Sequence, residues 1–466
     1  MRLALLTALT LTAFPAAAED AWQSLPAPID NGAIITTDPL RGFFGFEGGS
    51  VAPVARPMTE HYFRVAWAAI EPSQDVYDFA AIDRVLATLG PGERIAFGVM
   101  PLDTCCSRPD GLDIPAYLKD RLTKGFWIDA DAGSAARHAY VPDWNDPYYL
   151  ERWRALWTAI GKHYDGDPRV AWVDLRGYGN WGEGHLAGAG AYHWSQIPYD
   201  DPKVNTAGAR PGTQESRFAI VDAIAAALPH TRLIAMTDDK EVLLHALRLS
   251  PAIGMKRDSW GARWFESLVP ENMNADDRAL ILDRWKTAPF LVESYGWKLV
   301  FEAGYDGIVK QIADYHVSAI GNGNFNVGKW SDLDSDQQTA LVRSADISGY
   351  RYVPSAVRYR TTAACPLEVD IDWQNHGVAP AYEPWSVRLW LKPAHGPEMP
   401  GSTTQDLPAI LPGETQTSDT CFGPAAGRGG ELLVQVASPD GRRTLVLPLD
   451  RTDGNNRYGL GAIDLK

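Results

Sequence analysis

Two glutamates stand at points where short apolar runs end. Glu183 closes the glycine-rich stretch that follows the apolar run 170–175, and Glu293 directly follows the apolar run 289–292. Such runs are typical of buried parallel strands, and the residues at the C-terminal ends of the strands form the active site of an α/β barrel. Because two carboxyl groups cleave a glycosidic bond, this pattern predicts a carbohydrate-cleaving site.

The elements that would position these glutamates alternate between strand and helix patterns. The alternation predicts a (β/α)8 TIM barrel over residues 19–346, with Glu183 after the fourth strand and Glu293 at the end of the seventh. The predicted strands are 41–46, 62–67, 94–101, 170–175, 232–237, 252–256, 290–293 and 317–320. The predicted helices between them are 79–89, 147–164, 216–227, 240–249, 275–287 and 301–315.

From about Gly349 onward the helical periodicity stops, and turn residues separate short strand patterns. This texture predicts a C-terminal all-β sandwich domain over residues 347–466, with an immunoglobulin-like layout. Its predicted strands are 357–362, 367–373, 386–391, 432–436 and 444–449. Cys365 and Cys421 both fall in this part and are the natural disulfide pair. The adjacent Cys105 and Cys106 could form a vicinal disulfide, stay reduced or pair elsewhere.

The N-terminus and the overall charge restrict where the protein acts and on what. Arg2, the apolar run 3–14 and an Ala-x-Ala site ending at Ala18 predict a signal peptide over residues 1–18, so we expect a periplasmic or secreted protein. No other segment suggests membrane insertion. The net charge of −15 and a pI near 5.1 argue against nucleic-acid and anionic-membrane partners. The 17 Trp residues suit a carbohydrate partner, because indole rings stack on sugars.

Two sets of residues resemble known families. Residues 63–72, followed by Tyr77-Asp78-Phe79 and Ile82-Asp83, resemble the second barrel unit of clan A glycoside hydrolases, of which the family 42 beta-galactosidase type is closest. Residues 177–183, together with 375–382, are similar to the domain-of-unknown-function family 4832. The resemblance covers most of the mature chain. It implies that Glu183 is the acid/base and Glu293 the nucleophile.

The chain departs from the clan pattern next to the acid/base. The clan usually has Asn before this glutamate, where it binds the sugar 2-hydroxyl, and here Gly182 occupies that place. Asn180 is an alternative donor to this hydroxyl, or the substrate presents a different group. Burial beside Trp181 is expected to raise the pKa of Glu183, which would keep it protonated for general acid catalysis.

Charged residues within the strands allow two interpretations each. Arg64, inside the second strand, either ionises the nucleophile or forms a structural ion pair at the barrel floor. Asp174 and Arg176 alternate in the fourth strand, so they either form an interior pair that supports Glu183 or point outward to the helices. For Asp239 we favour a helix N-cap.

Further polar and aromatic residues follow predicted strand ends and are candidates for substrate binding. Each could instead be a loop, turn or packing residue that takes no part in substrate binding. The candidates are Arg64, Asn180, Trp181, His185, Asp238, Asp258, Tyr295, Asn322, Asn324 and Trp330. No Cys/His set has zinc spacing, and the alternating aspartates 332, 334 and 336 lack the glycine and closing glutamate of a calcium loop. We therefore expect neither a metal nor a cofactor.

Together these features predict an exported glycoside hydrolase that acts by retaining double displacement. Two other classes of function stay open on the sequence alone. One is a non-catalytic glycan-binding protein on a degenerate barrel. The other is a structural or surface-assembly protein in which the sandwich is the working part. The sugar, the linkage and the oligomeric state do not follow from the sequence.

Overall fold

The computed structural model describes residues 21–465 except 36, 47–57, 105–107, 132–135, 186–211, 295, 297–298, 324–329, 404–406, 427–428 and 451–454. The strands are β1 (Gln23–Ser24), β2 (Phe43–Phe46), β3 (Glu60–Ala66), β4 (Arg94–Met100), β5 (Phe126–Asp131), β6 (Ala136–Val141), β7 (Val170–Leu175), β8 (Leu233–Met236), β9 (Gly254–Arg257), β10 (Phe290–Glu293), β11 (Ala319–Gly321), β12 (Tyr352–Arg360), β13 (Leu367–Asn375), β14 (Ser386–Lys392), β15 (Met399–Thr403), β16 (Thr415–Phe422), β17 (Gly430–Ala437) and β18 (Tyr458–Ile463). The α-helices are α1 (Trp67–Ile70), α2 (Ala80–Thr88), α3 (Ala116–Lys119), α4 (Pro147–Tyr164), α5 (Gln214–Ala227), α6 (Lys240–Leu249), α7 (Ala275–Leu282), α8 (Tyr305–Asp314) and α9 (Ser335–Ile347). The predicted signal peptide, Cys105 and Cys106 lie outside the described residues.

Eight parallel strands close into a barrel in the order β2-β3-β4-β7-β8-β9-β10-β11, with β11 pairing back onto β2. Each of the eight predicted strands overlaps one of them, so the predicted (β/α)8 barrel is confirmed. The strand sequences are apolar on both faces, because the outer face packs under the helices and the inner face fills the barrel. No helix in the described part of the chain is long and apolar enough to cross a membrane.

The period-two alternation of each strand determines which side chains enter the barrel. In β7, Val173 and Leu175 pack outward in the core shared with the helices, whereas Trp172 packs inward in the core that fills the barrel. The same alternation places Tyr62 of β3 and Leu291 of β10 inward. These apolar side chains fill the lower barrel, so inward residues two positions further along each strand lie nearer the mouth.

The C-terminal part of the chain forms one antiparallel sheet in the order β1-β12-β13-β16-β15-β14-β17-β18. The two halves of this sheet enclose a second apolar core, and β15 pairs with both β14 and β16. The predicted all-β character is confirmed, as is the disulfide between Cys365 and Cys421. The immunoglobulin-like layout and the domain boundary stay predictions. The N-terminal strand β1 pairs with β12, so the start of the described chain lies on this sheet.

Strand prediction was less accurate in this sheet than in the barrel. The predicted strand 444–449 is wrong, because Thr444 makes only an isolated bridge to Ala437 and the following residues have no strand partner among the described residues. Strands β15, β16 and β18 were missed. β16 is polar at most positions because alternate residues face solvent, so its sequence lacks a continuous apolar run.

The loop between β13 and β14 reaches the N-terminal end of the barrel, where its Glu383 contacts arginines at the start of β4 and just before β8. Arg94, the first residue of β4, donates to Glu383 Oε1, which also accepts from Arg232 at 3.2 Å, while Arg443 lies 2.8 Å from Oε2. Burial alone would raise the pKa of Glu383, but the three guanidinium groups outweigh it and lower this pKa well below its ordinary value.

We predict that Glu383→Gln destabilises the protein by about 3–5 kcal/mol at neutral pH, because it leaves three arginines short of a buried anion. The lowered pKa means that this stabilisation is complete above the ordinary glutamate pKa of about 4.3 and is lost as the pH falls below it. Denaturant unfolding of both proteins from pH 7 to pH 3 should show the difference shrinking with acid. Glu398→Gln, which breaks a more exposed pair with Arg457, should cost about 0–1 kcal/mol. Equal losses in the two variants would contradict this role of Glu383.

Candidate active site

Glu183 lies in the loop after β7, whose backbone is tightly constrained. The Asn180 N–H donates to the carbonyl of His185 at 2.8 Å, which folds the loop back on itself. Gly182 has a φ of +72°, and a Cβ at this position would lie 2.9 Å from Arg176 Cβ. A side chain at 182 is therefore excluded unless the backbone moves. This explains why glycine stands where the resembled clan has asparagine.

Two arginines and one histidine surround the carboxylate of Glu183. Its Oε1 accepts from Arg176 at 2.8 Å and from Arg64 at 3.3 Å, and its Oε2 lies 3.3 Å from His185 Nε2. Burial alone would raise the pKa of Glu183, but Arg176, His185 and Arg64 together hold it well below its ordinary value. The expectation of a raised pKa at Glu183 is therefore wrong. Trp181 does lie beside it, but the nearby cations have the larger effect.

Arg64 takes neither of the two positions predicted for it. It enters the mouth from β3, pairs with Glu183 rather than with Glu293, and lies over the ring of Phe46 at 5.0 Å from guanidinium carbon to ring centroid. Asp174 and Arg176 form the interior pair, with 3.0 Å between Arg176 Nη2 and Asp174 Oδ2, and neither side chain is exposed. Arg176 thus connects Asp174 to Glu183.

Glu293 points into the same barrel from the end of β10 and meets a buried lysine. Lys256 Nζ lies 2.5 Å from Glu293 Oε1, 3.6 Å from Asp174 Oδ2 and 4.0 Å above the ring centroid of Tyr62. The lysine side chain is 1% exposed and that of Glu293 is 5% exposed. Asp174 therefore joins the Glu183 and Glu293 groups into one ion-pair network, through Arg176 on one side and Lys256 on the other.

Two glycines make room for the long side chains of this network. A Cβ on Gly98 of β4 would lie 2.4 Å from Arg176 Cδ, and a Cβ on Gly321 of β11 would lie 2.6 Å from Glu293 Cγ. Both distances are shorter than non-bonded carbon atoms allow. Neither glycine has a positive φ angle that would require glycine. The absence of a side chain at these positions therefore makes space for Arg176 and Glu293.

Without His185, whose charge depends on its protonation, the network is balanced in formal charge. Arg64, Arg176 and Lys256 contribute three positive charges, and Asp174, Glu183 and Glu293 contribute three negative charges. Balance of this kind is required because an unpaired ion is strongly disfavoured where water is excluded. The site is thus a pre-assembled set of fixed charges at the C-terminal end of the barrel.

Two further predicted acids lie at strand ends next to the network. Asp258 follows β9 and is partly buried, whereas Asp238 follows β8 and is exposed. Burial and the charges of Glu183 and Glu293 raise the pKa of Asp258 well above its ordinary value. Asp239 caps α6, with its side chain accepting from the Glu241 and Val242 N–H groups, which confirms that interpretation.

Several other candidates are engaged in holding loops. The Asn180 Oδ1 accepts from the hydroxyl of Thr104 at 2.8 Å, and the indole N–H of Trp181 donates to Asp103 at 3.0 Å. Asn322 accepts from the Phe46 N–H at 2.8 Å.

Among the described residues, no contact joins the remaining substrate-binding candidates to the ion-pair network. Trp330 packs against the core between barrel and helices. Tyr295 and Asn324 lie outside the described residues. Sequence analysis missed Lys256, Tyr62 and the two space-making glycines. An inward-facing lysine at an alternating strand position was the signal that could have identified Lys256.

The protonation of His185 depends on Glu183. Burial opposes a charge on the imidazole, but the hydrogen bond to Glu183 and its negative charge prevail and raise the pKa of His185. We predict that Glu183→Gln lowers the pKa of His185, as measured by NMR titration of the ring. His316, whose pKa is lowered by burial at a distant site stacked on Trp285, should titrate unchanged. An unaltered His185 titration in the variant would show that Glu183 is not its partner.

No family model and no curated protein matches this chain. Among solved structures, it is similar to the endo-glycoceramidase II from Rhodococcus sp., with 13% identity over 84% of this chain and 100% of that chain and a TM-score of 0.38. The catalytic domain of a beta-amylase from Paenibacillus polymyxa gives 9% identity over 67% of this chain and 98% of that one, with a TM-score of 0.41. A beta-galactosidase from the psychrophilic Marinomonas ef1 gives 11% identity over 61% and 54%, with a TM-score of 0.33. All three TM-scores are below 0.5, so the function is argued from the residues of this chain.

Proposed function

We propose that the barrel mouth hydrolyses glycosidic bonds by retaining double displacement. The observation that carries this proposal is the pair of buried glutamates, Glu183 in the loop after β7 and Glu293 at the end of β10, that belong to one ion-pair network. A retaining site needs one carboxylate that attacks the anomeric carbon and a second group that handles protons. Both kinds of group are present, held on the C-terminal ends of rigid strands.

Glu293 is the proposed nucleophile. Its oxygen attacks the anomeric carbon, a bond forms between them, and the bond from that carbon to the leaving oxygen breaks. Lys256 holds the Glu293 carboxylate in place in the free protein. When Glu293 becomes a neutral ester, Lys256 still has the charge of Asp174 at 3.6 Å, so the lysine is not left unpaired.

Glu183 is the proposed acid/base, and its environment favours the base half of that role. Its Oε1 accepts from Arg176 and Arg64, its Oε2 lies 3.3 Å from His185 Nε2, and these neighbours favour the ionised carboxylate in the free protein. An ionised Glu183 can remove a proton from the water that releases the sugar from Glu293. Donating a proton in the first step would require Glu183 to be protonated against these three neighbours.

A second candidate function is glycan binding without catalysis. The way in which Arg176 and Arg64 hold the Glu183 carboxylate also favours this function. A carboxylate fixed by two arginines can accept hydrogen bonds from sugar hydroxyl groups without taking part in proton transfer. In that case the site would bind a glycan, and neither glutamate would be needed for turnover. The hydrolysis experiment below separates the two functions.

We also propose that the chain is exported and related to the families it resembles. The disulfide between Cys365 and Cys421 supports an oxidising compartment, where such bonds persist. The proposed route is cleavage after Ala18. The families to which the chain is proposed to be related are the family 42 beta-galactosidase type and the domain-of-unknown-function family 4832. The C-terminal domain is proposed to have an immunoglobulin-like layout.

We predict that the wild-type protein hydrolyses at least one member of a panel of 4-nitrophenyl glycosides of common hexoses and pentoses. Glu293→Gln should abolish the glycosyl-enzyme adduct that mass spectrometry detects with the matching 2-deoxy-2-fluoro glycoside. Glu183→Gln should lower kcat by about 10²–10⁴-fold, the range for loss of a general acid or base.

Glu60→Gln is the matched control for both variants. Glu60 is also buried and paired with an arginine, at 2.7 Å from Arg94, but it lies at the closed end of the barrel. This variant should lose stability and keep its kcat. Glycan binding with no hydrolysis by the wild-type protein would support the binding function instead.

A further inference from the structure

Trp181 stands in the loop after β7 with a backbone conformation that its residue type disfavours. Its φ is +54° and its ψ is +10°, which is the left-handed region. Glycine occupies that region at no steric cost, whereas a bulky side chain there is strained. Residues of this kind persist only where their surroundings enforce the conformation, and they concentrate at functional sites. A tryptophan at this position therefore indicates a use for its indole ring.

The neighbours of Trp181 hold both its backbone and its ring. The backbone N–H donates to the Leu102 carbonyl at 2.9 Å, and the carbonyl accepts from Arg176 Nη1 at 2.8 Å. The indole N–H donates to Asp103 Oδ1 at 3.0 Å. The ring is thus fixed before a ligand arrives, so a ligand that stacks on it does not have to order this side chain.

The indole ring of Trp181 is half-buried, and its contacts leave it without a parallel neighbour. Among the described residues, no aromatic ring lies parallel to it, because His185 meets it at an angle of 69° with 5.8 Å between the ring centroids. The guanidinium carbon of Arg64 lies 6.0 Å from the ring centroid. The ring therefore offers a flat apolar surface at the mouth, next to a cation.

Arg64 adds hydrogen-bond donors beside this ring. A guanidinium group carries five N–H donors, and among the described residues Arg64 makes one hydrogen bond, to Glu183 at 3.3 Å. Its side chain is 21% exposed, whereas every other side chain of the ion-pair network is 6% exposed or less. A flat apolar surface next to unused donors matches a sugar, which has C–H groups on its ring face and hydroxyl groups at its edge. A lipid chain would match the apolar surface alone.

The ring lies on the side of the barrel opposite the proposed nucleophile. Trp181 is bonded to Leu102 and Asp103, which follow β4, and β4 is four strands from β10 in either direction around the eight-stranded barrel. Glu183 lies on the same side as Trp181, because Arg64 of β3 holds its carboxylate. In a retaining site the nucleophile meets the anomeric carbon and the acid/base meets the leaving oxygen. Trp181 therefore faces the part of the substrate that leaves with that oxygen.

We propose that Trp181 and Arg64 bind the leaving portion of the substrate and that this portion is itself a sugar. The inference rests on the proposed glycoside hydrolase function and names its substrate class, which is an oligosaccharide or polysaccharide. The indole ring stacks on the C–H face of the second sugar, and Arg64 donates to a hydroxyl group at the edge of that sugar.

Two substrates that share the sugar at the anomeric carbon test this inference, namely a disaccharide and an octyl glycoside. Both leave as alkoxides and need a proton equally, but only the disaccharide presents a second sugar ring. Trp181→Ala should lower kcat/KM by about 10–100-fold on the disaccharide, because the stacking contact is lost, and by less than about 3-fold on the octyl glycoside. Equal losses on the two substrates would overturn the inference, since they indicate a displaced Glu183 or a lipid leaving group.

Trp285→Ala is the matched control. Trp285 is also half-buried, with its ring stacked on His316, but it lies in the connection that leads into β10, at the N-terminal end of the barrel. Any loss in this variant should be equal on the two substrates. If the wild-type protein hydrolyses neither substrate nor any glycoside of the panel, the proposed function fails and the inference falls with it. If it hydrolyses the octyl glycoside and no disaccharide, only the inference fails.

A second variant, Trp181→Gly, tests the strain without any substrate. Both the alanine and the glycine variant lack the ring and its contacts, but only glycine is unstrained at a φ of +54°. The glycine variant should therefore have the higher melting temperature of the two, and both should show the same loss on the disaccharide. A higher melting temperature for the alanine variant would remove the strain from which the inference starts and would overturn it.

Discussion

The structure of the mouth depends on one constraint, which is that charges inside the barrel must cancel. The interior of an eight-stranded barrel is filled by side chains and excludes water, so an unpaired ion there is strongly disfavoured. Asp174 is central to the balance of charge, because its carboxylate pairs with both Arg176 and Lys256. Those two cations in turn reach Glu183 and Glu293. The positions of the two proposed catalytic glutamates are therefore coupled through a carboxylate that touches neither of them.

The same constraint separates the two ends of the barrel. At the floor, Glu383 in the loop between β13 and β14 pairs with Arg94 and Arg232, and Glu60 also pairs with Arg94, so the charges there lie under a second layer of protein. At the mouth, the ion pairs form among residues of the barrel itself, where the side chain of Arg64 is 21% exposed and that of Glu183 is 6% exposed. The floor network is therefore covered by another part of the chain, whereas the pairs at the mouth are made within the barrel.

The barrel and the two glutamates could be predicted from the sequence, whereas their electrostatics could not. Continuous apolar strands between amphipathic helices identify the fold, and strand ends identify Glu183 and Glu293, because both are local patterns. The partners of Glu183 come from β3 and β7, more than a hundred residues apart, so they follow only from the closure of the barrel. The hairpin β5–β6 was not predicted from the sequence. The Asp, Arg and His residues of its two strands interrupt the alternation of apolar and polar residues that identifies a strand.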